Sequence, residues 1–288
     1  MTKLGNVGVG GKNPIRFMGI LNTSPESFYK KSIKTTKQNI SNTIKQTELD
    51  GADFVDVGGM STAPYLSTLV SEKVEFTRIS NAIKIIQNVS NLPISIDTCR
   101  ASVAKSALEL GVEIINDISG LKYDNKMIDV ISNYNPSLIL CSFDNKRVSG
   151  NLTTATKNLL KQSIVILKKI EFPSNKIVLD PAIGFFRKSG KGPFFTKIKS
   201  DGFVRDLDVI QNLRSIKQKY PILISVSNKS FIGKLLGKEN PNDRLFGSIA
   251  AEVVSVLNGA DIIRTHNVLE TKDAVVVASK LSKRTKGL

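Results

Sequence analysis

The stretch that decides the fold runs from residue 93 to residue 120 and reads PISIDTCRASVAKSALELGVEIINDISG. Its two apolar runs, at 93–97 and 112–116, have the length and β-branched content of buried strands. The segment 101–110 between them has helical spacing of apolar residues, and Gly111 is placed to end that helix. A strand, a helix and a second strand in this order predict two parallel strands in one sheet.

Each apolar run of this stretch is followed at once by a polar residue. The same pattern recurs along the chain, and the polar residues at strand ends are Asp97, Asn116, Asp117, Asp180, Lys229, Arg264 and His266. A helix N-cap or a turn explains any one of them alone. Parallel α/β proteins build their sites at the carboxyl ends of strands. Five such strand ends in one chain therefore predict a single pocket lined by groups of both charges.

Short apolar runs alternate with helical patterns from one end of the chain to the other. The predicted strands are 16–21, 53–57, 93–97, 112–116, 138–141, 176–179, 222–226 and 261–264. The predicted helices are 35–50, 71–89, 101–110, 126–133, 159–170, 203–216, 244–257 and 269–281. Eight strand–helix units in roughly 250 residues favour an α/β protein with a closed (β/α)8 TIM barrel over an open sheet. We expect one domain over residues 14–288, with flexible tails at 1–13 and 282–288.

The amino-acid composition excludes several classes of protein. The 288 residues are 41% hydrophobic, which is enough for a real core. No apolar run reaches the ~18 residues of a membrane span, and no signal peptide precedes the first strand, so a cytoplasmic location is expected. Cys99 and Cys141 fit neither a disulfide framework nor a zinc site and are expected to be buried apolar residues. The net charge of +16 comes without a nucleic-acid-binding motif, and its lysines are spread through most of the chain. A generally Lys-rich surface is therefore the favoured explanation, with an anionic ligand as a second contributor.

Seven segments, in order, resemble the signatures of the dihydropteroate synthase family. They are 18–28 (MGILNTSPESF), 51–62 (GADFVDVGGMST), 96–98 (IDT), 115–120 (INDISG), 180–185 (DPAIGF), 227–233 (SNKSFIG) and 264–266 (RTH). The resemblance covers nearly the whole chain. It implies a (β/α)8 barrel that joins 6-hydroxymethyl-dihydropterin pyrophosphate to an arylamine such as p-aminobenzoate and releases pyrophosphate.

The resemblance also implies roles for individual residues. Asp97 and Lys229 are expected to be catalytic, and both are expected to contact the pterin together with Asn116, Asp180 and Phe185. Carboxylate and amide groups of this kind suit the donors and acceptors on the edge of a pterin ring.

Further residues are assigned by the resemblance to the other ligands. Pyrophosphate is expected at Asn22, Thr62, Arg264 and His266, with Lys229, Arg264 and His266 supplying positive charge, and Mg²⁺ at Asn22. The arylamine is expected at Ser230, Lys30 and Lys31. A homodimer and small-molecule substrates are the expected partners.

Several positions depart from the family pattern. Lys30 stands where an aspartate is usual, Met60 and Ala63 replace a glutamate and an arginine, and Leu140-Cys141-Ser142 replaces Met-His-Met. The loop at 186–202 is long and basic. Lysines in these loops would attract a phosphate, which predicts a larger, phosphorylated arylamine of the kind used in methanopterin synthesis by an archaeal-type member. The alternative is drift in surface loops within a generally basic chain.

Two other functions stay open at this point. A pterin-dependent methyltransferase shares the barrel and the pterin contacts, but it has no pyrophosphate to bind and leaves 227–230 and 264–266 unexplained. A catalytically silent pterin-binding protein would explain the altered loops.

Overall fold

Parallel strands form the body of the computed structural model, which describes residues 1–26, 33–65 and 69–282. The strands are β1 (Thr2–Leu4), β2 (Val7–Val9), β3 (Arg16–Asn22), β4 (Phe54–Gly58), β5 (Ile94–Asp97), β6 (Ile114–Asp117), β7 (Ser137–Cys141), β8 (Ile177–Asp180), β9 (Phe186–Arg187), β10 (Thr196–Lys197), β11 (Leu223–Ile224) and β12 (Ile262–Thr265). Eight of these are hydrogen-bonded in the order β11-β12-β3-β4-β5-β6-β7-β8. The N–H of Leu179 donates to the carbonyl of Pro221 at 2.9 Å, which links the two outer strands. The predicted (β/α)8 barrel is confirmed.

Helices lie between successive barrel strands. They are α1 (Lys37–Leu49), α2 (Glu72–Val89), α3 (Ala101–Glu109), α4 (Met127–Tyr134), α5 (Leu152–Lys169), α6 (Gly202–Gln211), α7 (Leu213–Lys217), α8 (Ser230–Leu236), α9 (Leu245–Leu257) and α10 (Val268–Leu281). Short 3₁₀ turns occupy Ser174–Lys176 and Pro241–Asp243. α5 begins before the predicted residue 159 because the Asn151 side chain accepts the N–H of Thr154 and caps the helix. α8 was not predicted, since its seven residues are too few for a helical pattern.

Alternate residues of each barrel strand face opposite sides. One set packs outward against the helices in the largest apolar cluster, which includes Val55, Ile96, Ile115, Leu179 and Ile263. The other set points into the barrel. Its lower members, near the amino ends of the strands, form a second apolar cluster together with one residue each of β1 and β2. This cluster, here called the floor, contains Leu4, Val9, Met18, Phe54, Ile114, Ile139, Val178, Leu223 and Ile262.

Residues 1–13 differ from the predicted flexible segment. Strands β1 and β2 pair as an antiparallel hairpin, with Thr2 opposite Val9. Leu4 and Val9 are buried in the floor, at 0% and 1% exposure. The hairpin therefore closes the lower mouth of the barrel. Its ordering comes from tertiary burial of two apolar side chains, which a Gly-rich sequence of this length does not reveal.

Three further sequence-based predictions concern the cysteines, membrane spans and the C-terminal tail. Both cysteines are free and buried, as predicted. Across the described residues, none of the helices has the length and apolar character that crossing a membrane requires. Residues 283–288 of the predicted flexible C-terminal tail lie outside the described residues.

Candidate active site

A single pocket at the carboxyl ends of the strands contains most of the predicted site. Nine predicted residues line it: Asn22, Thr62, Asp97, Asn116, Asp180, Phe185, Lys229, Arg264 and His266. Three of them converge because their strands place an inward side chain two residues beyond the floor. Asn116 follows Ile114 on β6, Asp180 follows Val178 on β8, and Arg264 follows Ile262 on β12. A spacing of two keeps both residues on the same face of the strand.

Arg264 is the electrostatic centre of the pocket. Its Nε donates to Oδ2 of Asp56 at 2.6 Å, and its Nη2 donates to Oδ2 of Asp97 at 3.1 Å. Asn116 Nδ2 donates to the same Asp56 oxygen at 3.1 Å. The guanidinium is thus held by two carboxylates through Nε and Nη2, so a phosphate would be contacted mainly through Nη1 rather than by the whole fork, which refines the prediction made from its residue type. These bonds fix three pocket residues relative to one another.

Asp97 has an unusual titration. Burial raises the pKa of its carboxyl to about 7, against the opposing effect of the Arg264 guanidinium, while Asp56 adds to the rise. The carboxylate is nevertheless 18% exposed and faces the pocket. A carboxylate in this setting can interact with positive charge that develops on a ligand.

Lys229 and Asp180 form the opposite wall. The Lys229 Nζ donates to the carbonyl of Ile183 at 2.7 Å and lies 4.4 Å from the centroid of the Phe185 ring. Burial lowers the pKa of this ammonium to about 8, although Asp180 favours its charged form. Asp180 accepts the N–H of Ala182 at 2.7 Å, and burial raises the pKa of its carboxyl. The wall offers one cation, one carboxylate and an aromatic face.

His266 differs from the predicted role as a cation. Its Nδ1 lies 3.0 Å from the Ser227 hydroxyl. Burial and the positive charges of Arg264 and Lys229 lower the pKa of its imidazole to about 3. The ring is therefore neutral at physiological pH, and it can contribute hydrogen bonds but no positive charge.

Asn22, the last residue of β3, and Thr62, in the loop after β4, line the same pocket. The described residues contain no group of three or more His, Cys, Asp or Glu side chains that could enclose a metal ion. Asn22 offers one amide oxygen, which fits Mg²⁺ that takes its remaining ligands from phosphate and water. The prediction of Mg²⁺ at Asn22 stays a prediction.

The residues predicted for the arylamine are placed differently. Ser230 begins α8, outside the pocket lining, and its hydroxyl accepts a bond from Arg187 Nη2 at 2.8 Å. Lys30 and Lys31 lie outside the described residues. Asp117, grouped with the strand-end residues above, instead shapes a turn by accepting the N–H groups of Ser119 and Leu121.

Sequence reasoning missed Asp56. This residue is fully buried in β4, and one of its oxygens, Oδ1, has no partner among the described residues. The signal was available, since a carboxylate between Val55 and Val57 must face the barrel interior if the valines face the helices. Ser225 and Ser227 also line the pocket and were not singled out.

Comparisons with known proteins agree with this geometry. The family described as pterin binding enzyme matches residues 18–266. A dihydropteroate synthase of Clostridium beijerinckii is 36% identical over 278 residues, which cover 93% of this chain and 94% of that protein. A dihydropteroate synthase of Bacillus subtilis is 33% identical over 87% of this chain and 83% of its own length.

Solved structures match over the same range. A dihydropteroate synthase from Clostridium difficile, determined in the presence of pteroic acid, superposes with a TM-score of 0.81 at 34% identity and covers 98% of this chain and 99% of its own. A Xanthomonas albilineans dihydropteroate synthase with 4-aminobenzoic acid gives a TM-score of 0.81 at 26% identity, with 94% of each chain covered. With the barrel, the pocket and these matches in agreement, the chain belongs to the pterin-binding enzymes, in the dihydropteroate synthase family.

Proposed function

We propose that the protein is a transferase that condenses 6-hydroxymethyl-dihydropterin pyrophosphate with an arylamine and releases pyrophosphate. The observation that carries the proposal is the convergence of carboxylate, amide, ammonium and guanidinium groups in one pocket at the strand ends. The family membership of the chain supports the same reaction.

The pterin ring is assigned to the deep part of the pocket. Asn116 and Asp180 face this region, and Oδ1 of Asn116 has no hydrogen-bond partner among the described residues. A buried polar atom without a partner is costly, and a ligand donor such as the pterin amino or amide group would satisfy it. Lys229, at the opposite wall, can donate to the ring edge, and Phe185 offers an aromatic face.

The reaction breaks the bond between the pterin methylene carbon and a pyrophosphate oxygen, which takes the electron pair. The arylamine nitrogen forms the new bond with its lone pair and then loses a proton. Asp97 is placed to stabilise positive charge on the pterin as the leaving group departs. Arg264, Thr62 and neutral His266 would contact the pyrophosphate, and no covalent enzyme intermediate is required.

Mg²⁺ belongs to the proposal through Asn22. When bound, the ion would neutralise charge on the departing pyrophosphate. Asn22 would hold it through its amide oxygen, and this lone protein ligand predicts that the ion binds together with the pyrophosphate substrate and weakly without it.

The acceptor is proposed to be an anionic arylamine. The 4-aminobenzoic acid of the Xanthomonas structure supports p-aminobenzoate. The lysines of the loop at 186–202, which include exposed Lys188 and Lys197, support the ribosyl-phosphate arylamine predicted from the sequence. Comparison of kcat/KM for the two acceptors decides between them.

A direct test is to mix the purified protein with the pterin pyrophosphate, p-aminobenzoate and Mg²⁺. The proposal predicts equal amounts of pyrophosphate and dihydropteroate. Pterin binding without release of pyrophosphate from the pterin substrate, in the presence of either acceptor, would identify a silent pterin-binding protein. Methyl transfer from a methylated tetrahydropterin to a corrinoid would identify a methyltransferase.

A homodimer is also proposed, and exposed apolar residues on two helices support it. Phe246, at the start of α9, is 80% exposed, and Leu235 and Leu236 of α8 are 55% and 48% exposed. Light scattering should give a mass of two chains for the wild type and of one chain for Phe246→Asp. A cytoplasmic location stays a prediction, which cell fractionation tests.

A further inference from the structure

Arg187 lies at the rim of the pocket, and its hydrogen bonds to the described residues are made to neutral groups. Its Nε donates to the carbonyl of Gly184 at 3.1 Å, and its Nη2 donates to the Ser230 hydroxyl at 2.8 Å. The guanidinium carbon lies 5.1 Å from the centroid of the Tyr65 ring. These contacts place the guanidinium but do not neutralise its charge.

Three other arginines around the upper end of the barrel are neutralised by carboxylates. Arg264 pairs with Asp56 at 2.6 Å, Arg205 with Asp206 at 3.0 Å, and Arg100 with Glu75 at 2.7 Å. Within the described ranges, Arg187 forms no such ion pair. A preordered guanidinium without a carboxylate partner is a suitable recognition group for an anion.

The residues that hold Arg187 adjoin the pocket on three sides. Tyr65 lies two residues after Ala63, Gly184 precedes Phe185, and Ser230 follows Lys229; Ala63, Phe185 and Lys229 all line the pocket. The packing is close, since a Cβ on Gly184 would lie 3.0 Å from Cδ of Lys229. Arg187 therefore lies just outside the part of the pocket assigned to the reacting atoms.

The segment 186–202, here called the outer loop, fixes this position. The N–H of Ile198 donates to the carbonyl of Arg187 at 3.0 Å, and the N–H of Lys191 donates to the carbonyl of Pro64 at 2.8 Å. Phe186, Phe194 and Ile198 are buried in an apolar cluster with Met60. Because these contacts already order Arg187, it loses little conformational entropy when a ligand binds, and this favours affinity.

We propose that Arg187 is a specificity residue that recognises the anionic group of the arylamine acceptor. The proposal rests on the proposed function, because it assigns the acceptor to the rim side of the pterin. The amine would enter the pocket past Phe185, and a carboxylate or phosphate at the opposite end of the aromatic ring would meet Arg187. The guanidinium would then gain the charged partner that the described part of the chain does not supply.

The test compares p-aminobenzoate with p-aminobenzamide, an uncharged analogue of the same shape, in wild type and in Arg187→Gln. Wild type should prefer the carboxylate. The substitution should raise KM for p-aminobenzoate about tenfold, as expected for the loss of one charge-assisted hydrogen bond. It should leave KM for the amide, KM for the pterin pyrophosphate and kcat unchanged. Arg147→Gln is the matched control, since Arg147 is an exposed arginine of a neighbouring loop.

An equal rise in KM for both acceptors in Arg187→Gln, or no rise for either, would overturn the assignment. A wild-type protein that does not prefer p-aminobenzoate to p-aminobenzamide would also overturn it. If Arg187→Gln does not fold, Arg187→Lys is the second variant, because lysine keeps the positive charge but lacks the planar guanidinium. It should reduce the preference for p-aminobenzoate over p-aminobenzamide by a smaller factor. An unchanged preference in that variant would also contradict the proposal. Absence of pyrophosphate release in wild type would instead refute the proposed function, so the two failures are distinguishable.

Discussion

The two ends of the barrel interior are built from the same strands but differ in chemistry. At the lower end, floor residues such as Ile114, Val178 and Ile262 are fully buried and apolar. Two positions later on the same strands, Asn116, Asp180 and Arg264 line the pocket. One two-residue repeat of the strand thus separates the floor from these polar pocket residues, which are here called the upper layer.

The comparison shows how the barrel divides stability from function. The floor removes apolar side chains from water and stabilises the fold. The upper layer holds charged and amide groups whose burial is unfavourable unless they are paired, and Asp56 provides the pairing for Arg264 and Asn116. Variants in the two layers should therefore change different measured quantities.

The largest effect is expected for Asp97→Asn in the upper layer. Loss of the carboxylate should lower kcat roughly 10²–10³-fold, because its charge stabilises the transition state more than the bound substrate. The melting temperature should change little, since the asparagine keeps the shape and Arg264 keeps its bond to Asp56. A near-normal kcat would remove Asp97 from the chemistry.

The floor should show the opposite behaviour. Leu4→Ala, in the N-terminal hairpin, should lower the free energy of unfolding by about 2–5 kcal/mol through the cavity it leaves. KM for both substrates should stay unchanged while the protein is folded. Val165→Ala is a suitable control, because Val165 is 51% exposed on α5. A rise in KM without loss of stability would show that the two layers are not independent.

Arg264→Ala should weaken the binding of the pterin pyrophosphate by about 1.5–3 kcal/mol, the contribution of a hydrogen bond to a charged group. The pterin alcohol, which lacks phosphate, should lose much less affinity. Calorimetry with both ligands measures the difference. Equal losses would mean that Arg264 acts only within its ion pairs to Asp56 and Asp97.

The smallest effect concerns pH. Asp97 acts as a carboxylate, so kcat/KM should rise as pH increases through about 7, the pKa of its carboxyl. Lys229 acts as an ammonium ion, so kcat/KM should fall as pH increases through about 8. His266, with a pKa of about 3, should cause no further change in kcat/KM between these pH values. A profile that stays flat between pH 6 and 9 would contradict these assignments.

Much of this architecture could be predicted from the sequence. All eight barrel strands were located, because continuous apolar runs mark strands buried on both faces. Nine predicted site residues meet in one pocket, because residues at the carboxyl ends of parallel strands must lie at the same face of a barrel.

The remaining features depend on tertiary contacts that local patterns do not encode. The N-terminal hairpin is ordered by burial of Leu4 and Val9, and the outer loop by burial of Phe194 and Ile198. The neutral state of His266 follows chiefly from burial of its ring in the folded barrel, to which the positive charges of Arg264 and Lys229 add. Asp56 was not predicted, because the pattern of polar residues marks strand ends and this carboxylate lies within a strand.

The most direct test of the central claim, that the upper layer is the pterin site, is a crystal structure with 6-hydroxymethyl-dihydropterin pyrophosphate bound. The pterin ring should lie within hydrogen-bonding distance of Asn116 and Asp180, with the methylene carbon facing Asp97. The pyrophosphate should point towards Arg264 and His266. A pterin bound outside this pocket, or bound in it with Asn116 and Asp180 unused, would contradict the account.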